Sequence, residues 1–185
     1  PINFGTAVDY MWGKSTNQVS VIETDARIPM KHALSQFVVR LKVSPEYHND
    51  GNLTSAKLKA TGAKFATTGT MNLNDGGKIT FQPTSTELTW SPNTTVPAQG
   101  QQAVDYAAAI YPMTLAAGEV SLEVVIDGAT YTYAIPQITW EAGKRYIYSI
   151  TMRSNDAEIG GENGQSVTIE GWTSTEEDIT LVPVK

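Results

Sequence analysis

The chain has no cysteine among its 185 residues, which excludes disulfide bridges and thiolate metal centres outright. Histidine is nearly absent as well. Only His32 and His48 occur, so few groups could serve as a general base near neutral pH. Charge is scarce: Asp, Glu, Lys and Arg make up 17% of the chain, against about 25% in ordinary globular domains. The balance is acidic, with 13 basic and 19 acidic side chains for a net charge of −6. A nucleic-acid partner calls for a basic stripe that displaces counterions, and none is present. No apolar run approaches the ~20 residues of a membrane span. No signal peptide is visible, and the chain opens on Pro1 rather than Met, which reads as a processed or truncated product.

What is present suits strands. Apolar residues reach 41%, ordinary for a folded domain, and Thr, Ser, Asn, Gln and Gly stand where charges would otherwise be. β-branched Thr fits the solvent face of a pleated sheet. The length allows one large β-sandwich or two small domains.

The pattern sharpens after Arg27. Phe37, Val39, Leu41 and Val43 alternate with Val38, Arg40 and Lys42, the period-two signal of a strand with one face in the core. Pro45 and the run 48–52 end it in a turn. A weaker strand covers 53–66, and Asn74-Asp75-Gly76-Gly77 is a strong turn before a short strand at 78–81. Residues 91–101 read as a surface loop, and 102–111 as a buried strand despite a helix-compatible spacing of Tyr106 and Ile110.

The clearest unit is a hairpin. Val120, Leu122, Val124 and Ile126 alternate, Asp127-Gly128 follows, and Ala129, Tyr131, Tyr133 and Ile135 alternate in turn. Asp-Gly between alternating runs is a strong two-residue hairpin signal. It predicts Ile126 opposite Ala129, Val124 opposite Tyr131 and Leu122 opposite Tyr133. Further strands are predicted at 144–153, 166–172 and 178–185, with 155–165 as a Gly- and acid-rich loop. About 7–10 short strands at near-regular spacing, with no helical period, predict an all-β protein, an antiparallel Greek-key β-sandwich.

Reactive constellations are missing. Gly13-Lys14-Ser15-Thr16 has the ending of a phosphate loop, but the required upstream glycine is Val8 and no helical period follows. His48 sits in a turn and His32 just before a strand; neither has a partner at metal-ligand spacing. The segment from Asn72 to Gly76 has the polar start of a calcium loop, but the twelfth position is Pro83 rather than Glu, so a plain turn is expected. Glu141, Glu158, Glu162 and Glu170 are scattered, and Glu176-Glu177-Asp178 is an acidic run of the kind found on solvated faces. Trp90, Trp140 and Trp172 could stack on pyranose rings if exposed, although tryptophan is more often buried.

Several segments, in order, resemble the fimbrillin family, the subunits of type V pili. The stretch 27–37 is similar to the family's opening strand with its His and Ala-Leu step. Ala109-Ile110-Tyr111-Pro112 resembles its Tyr-Pro step, and Ile126-Asp127-Gly128-Ala129-Thr130-Tyr131 its Gly-x-x-Tyr hairpin. The run 140–148 resembles its Ala-Gly-Lys strand, and Ile169-Glu170-Gly171-Trp172 its late Ile-x-x-Trp element. The family's lipoprotein signal and N-terminal β domain have no counterpart here. The resemblance therefore implies a transthyretin-like C-terminal domain over 28–185, preceded by a lead-in or remnant of an N-terminal domain over 1–27.

It also implies a function. The chain would be a structural or adhesive subunit of a surface fimbria, exported and associated with the outer membrane, with no enzymatic activity and no cofactor or metal. Its partners would be other fimbrial subunits joined by strand addition, together with host or bacterial surface receptors; membrane contact would come only through a lipid anchor outside this sequence. Ile179, Leu181, Val182 and Val184 form the candidate donor strand, with an ordinary last strand of the chain's own sheet as the alternative. A carbohydrate-binding surface module using Trp90, Trp140 or Trp172 is the rival reading.

Overall fold

A computed structural model describes residues 1–16, 20, 27–90, 94–95, 103–153, 156–159 and 168–171. Its elements, in chain order, are β1 (Ile2–Asn3), β2 (Met11–Gly13), β3 (Met30–His32), β4 (Ser35–Val43), β5 (Asn52–Ala60) and β6 (Thr68–Asn72). A single 3-10 turn (Leu73–Asp75) leads to β7 (Lys78–Thr80), β8 (Glu87–Trp90), β9 (Thr94–Thr95), β10 (Val104–Ile110) and β11 (Met113–Leu115). Then come β12 (Val120–Ile126), β13 (Ala129–Ala134), β14 (Ile138–Trp140), β15 (Lys144–Arg153), β16 (Asp156–Ile159) and β17 (Thr168–Gly171). No α-helix occurs among the described residues, as the absence of a helical period predicts.

Two five-stranded sheets carry the body. The first runs β10-β4-β15, with β16 and β17 end to end along the far edge of β15. The second runs β13-β12-β5, with β8 and β9 end to end along β5. Small sheets β1-β6-β7, β11-β14 and β2-β3 are added to them.

Alternation sends one face of each strand into a shared core. Val120, Leu122, Val124 and Ile126 of β12 are fully buried, and so are Phe37, Val39 and Leu41 of β4 and Tyr148, Ile150 and Met152 of β15. Phe37 joins the two layers. It stacks on Tyr148 at 4.5 Å and meets Trp90 and Trp140 edge-on, both at 5.6 Å. Tyr133 of β13 reaches Tyr148 across the layers at 6.3 Å. Such aromatic pairs add about 0.5–1.5 kcal/mol each beyond their buried area.

The β12–β13 hairpin has the predicted register, with Ile126 opposite Ala129, Val124 opposite Tyr131 and Leu122 opposite Tyr133. Asp127 and Gly128 take φ of 48° and 81°, which a two-residue turn of this hand requires. The Asp127 carboxylate then ties the turn to the loop before β5. It accepts from Tyr47 Oη (2.5 Å), Gly51 N (2.9 Å) and Asn52 N (2.9 Å).

Besides β9 (Thr94–Thr95), which lies inside the loop expected at 91–101, two features depart from the sequence reading. First, β4 and β15 pair in parallel, with Val38 opposite Ile147, so the first sheet is mixed. The physical reason is burial on both faces. Val38 and Ile147 are fully buried on the side away from the main core, and two-sided burial is what parallel pairing favours. Second, 156–159 is a strand rather than loop, pairing with the end of β15. Ile2 and Phe4 also belong to the buried cluster, held by bonds from Gly5 N to Ala109 O (2.8 Å) and Ala109 N to Thr6 O (2.7 Å).

Candidate functional site

The aromatic candidates fall inside the fold. Trp140 is 1% exposed and Trp90 is 9% exposed, each turned onto Phe37, so neither offers a ring face to a sugar. Trp172 lies outside the described residues, as do Ile179, Leu181, Val182 and Val184. His48 is exposed in its turn. Gly13 closes β2, and no helix follows it among the described residues. Asn72 caps the 3-10 turn by accepting from Asn74 N at 3.0 Å, and Gly76 ends it with φ of 64°, the plain turn expected there. No group of three His, Asp or Glu able to hold a metal occurs among the described residues.

The carboxylates with shifted titration are all held by cations. Arg40 grips Asp105 with two bonds of 2.6 and 2.8 Å, and Arg145 adds a third at 2.8 Å. Hydrogen bonding from Arg40, aided by the charge of both guanidinium groups, keeps Asp105 below the usual carboxylate range despite burial. The Lys59 ammonium does the same for Glu123, and Lys64 for Glu119. Lys57, Lys59, Glu87 and Glu123 form a ladder across the outer face of the second sheet. Asp105, Glu119 and Glu123 are all pushed down, whereas a general acid near neutral pH requires a raised value.

One cleft, of about 590 Å³, opens beside the small sheets. The β2–β3 hairpin sets Trp12 opposite Lys31, and both border the opening. Trp12 rests on the turn into β7. A Cβ at Gly77 would stand 2.2 Å from the indole Cδ1, and Gly77 has φ of 74°, so glycine is needed there on both counts. The Lys31 Nζ lies 5.8 Å from the indole centroid, within cation–π range. His32 Nδ1 is 2.9 Å from Asp9 Oδ2. Ile79, Phe81, Tyr111 and Pro112 line the apolar side. Sequence reasoning missed this place. The one usable signal is the double glycine at 76–77, which on sequence grounds reads as turn chemistry alone.

A family model described as fimbrillin-like matches residues 5–172. No curated protein matches the chain. Among solved structures, a candidate cell adhesion protein from Bacteroides uniformis is similar at TM-score 0.54 and 17% identity, covering 91% of this chain and 68% of its own. A second candidate cell adhesion protein, from Bacteroides ovatus, is similar at TM-score 0.55 and 19% identity, covering 91% of this chain and 62% of its own. At such identities the likeness is one of fold.

Proposed function

The chain belongs to the fimbrillin-like family, and on that premise we propose that it is a structural subunit of a fimbria whose protomers join by addition of a β-strand. The family match over residues 5–172 carries this reading. Fimbrial character implies a cell-surface appendage, and no helix among the described residues is long and apolar enough to cross a membrane. Association with the outer membrane and contact with surface receptors belong to the same proposal, as does the absence of catalysis. Support for that last point is indirect: the shifted carboxylates are engaged by lysine or arginine rather than set opposite one another in a cleft.

Strand addition rests on ordinary physics. Main-chain hydrogen bonds supply affinity, and alternate side chains in pockets set the register. The donor in this reading is the segment with Ile179, Leu181, Val182 and Val184. Each apolar anchor that enters a pocket contributes about 1.5–3 kcal/mol before ordering costs. The test is deletion of 179–185 from the full-length protein, with oligomers followed by size-exclusion chromatography and light scattering. Oligomers are expected to vanish while the circular dichroism of the folded body persists. Assembly that continues unchanged removes the donor segment from the mechanism.

A further inference from the structure

Trp12 joins the β2–β3 hairpin to the turn before β7, and the fit leaves no room for a side chain in the turn. A Cβ at Gly77 would stand 2.2, 2.3 and 2.4 Å from Trp12 Cδ1, Cγ and Nε1, and one at Gly76 3.6 Å from Cη2. The five-membered ring thus lies over Gly77 and the six-membered ring reaches Gly76. The turn has bonds of its own. The Asn72 side chain accepts from Asn74 N at 3.0 Å, and its carbonyl accepts from Gly77 N at 3.0 Å. The hairpin is likewise tied to itself. Ala33 N donates to Tyr10 O at 2.9 Å, Thr16 N donates to Arg27 O at 3.1 Å, and His32 Nδ1 meets Asp9 Oδ2 at 2.9 Å. Gly13 lies close against Ile28 and Met30, where a Cβ would meet Cγ2 and Sδ at 2.6 and 2.8 Å.

No residue of β2 or β3 is fully buried, and a two-stranded hairpin is marginal without packing against something larger. The chain is fixed on both sides of it. Ala109 N holds Thr6 O at 2.7 Å, and Gly143 N holds Leu34 O at 2.9 Å, with Leu34 fully buried. The facing wall belongs to the body. Tyr111 is 1% exposed, and its ring packs with Phe81 at 3.7 Å and Phe4 at 4.8 Å. We propose that residues 9–16 and 27–33 form a flap that opens as a unit at the cleft, hinged after Thr6 and before Leu34 and latched by Trp12 on Gly77. Its release widens the cleft and uncovers Ile79, Phe81 and Tyr111, which share that cleft with Trp12 and Met30. Opening of this kind is a local equilibrium, separate from global unfolding, and it is independent of how subunits join. The two glycines separate latch from turn. Both take positive φ, 64° and 74°, so alanine at either strains the turn whether the flap is open or closed. Alanine at 77 alone collides with the indole.

Native-state hydrogen exchange of the whole chain, followed by NMR, tests the flap. The bonded amides of Thr16 and Ala33 should exchange through an opening that low urea hardly changes, ahead of the amides of β4 and β12. Gly77→Ala should speed Thr16 and Ala33 by about ten- to a hundredfold, the worth of unseating one large apolar side chain. Trp12→Ala should do the same from the other side of the contact. Gly76→Ala should leave the rates of Thr16 and Ala33 close to the parent's, even though it lowers the global stability read in β4 and β12. In the Trp12→Ala background, Gly77→Ala should no longer speed the flap amides. Flap amides that exchange only together with those of β4 and β12 overturn the proposal. So does an equal response to alanine at 76 and at 77, or a Gly77→Ala effect that Trp12→Ala leaves undiminished.

Discussion

Replacing Phe4 with alanine tests whether the first six residues fold as part of the body. The ring is 3% exposed and lies edge-on to Tyr111 at 4.8 Å and to Phe81 at 5.7 Å. Truncating such a side chain costs about 3–5 kcal/mol, which includes two aromatic pairs of roughly 0.5–1.5 kcal/mol each. For a chain of this length the melting temperature falls by about 6–20 °C. Gly69 provides an internal control. A Cβ there would stand 2.8 Å from Phe4 Cζ and 2.9 Å from Thr80 O, so Gly69→Ala should cost about 1–3 kcal/mol by overpacking. In the Phe4→Ala background the first clash disappears and the second stays. Gly69→Ala then costs less, though not nothing, and the cycle should give a coupling of about 0.5 kcal/mol or more. Urea denaturation of the four proteins, with equal m-values, measures this. A loss below about 1 kcal/mol for Phe4→Ala, or an equal cost of Gly69→Ala in both backgrounds, refutes the seating of Phe4.

Asp127→Ala should cost about 2–3 kcal/mol, because it strands the Gly51 and Asn52 amides and puts an ordinary residue at positive φ. Asp127→Asn, which tolerates that backbone, should cost less by the same denaturation assay. Tyr47, pushed up to about 12 by burial and then by its bond to Asp127, should titrate lower by NMR in Asp127→Ala yet stay above the usual tyrosine range, since burial is the larger cause. The Asp105 prediction concerns pH. Its folded value is depressed below the usual 3.8, so its contribution is present above that value and lost as pH falls through the folded value. The gap in urea midpoint between the parent and Asp105→Asn should correspond to about 1 kcal/mol at neutral pH and close below pH 3.8. A gap that stays constant into acid would show that the arginine contacts add nothing specific to the ionised form.

Legibility in the sequence tracked how long each strand is and how it is buried. β12 and β13 were readable in type, turn and register because six or seven residues alternate without interruption around Asp127-Gly128. β4 was readable as a strand but not as a parallel one. The signal was there in Phe37-Val38-Val39, apolar on both faces, yet nothing local names a partner more than a hundred residues away. β16 was hidden because four residues between polar, glycine-rich stretches look like loop until a neighbouring edge supplies their hydrogen bonds.

The same reasoning explains why the candidate site was the least readable part. β1, β2, β3 and β7 are two or three residues long, too short to show any period. They are strands because of what they rest on: Phe4 on Gly69, Trp12 on Gly77, Ala33 bonded to Tyr10. The long strands that the pattern reveals are consumed in building the core. The short ones that it conceals border the cleft, where Met30, Lys31, His32, Lys78 and Ile79 stand.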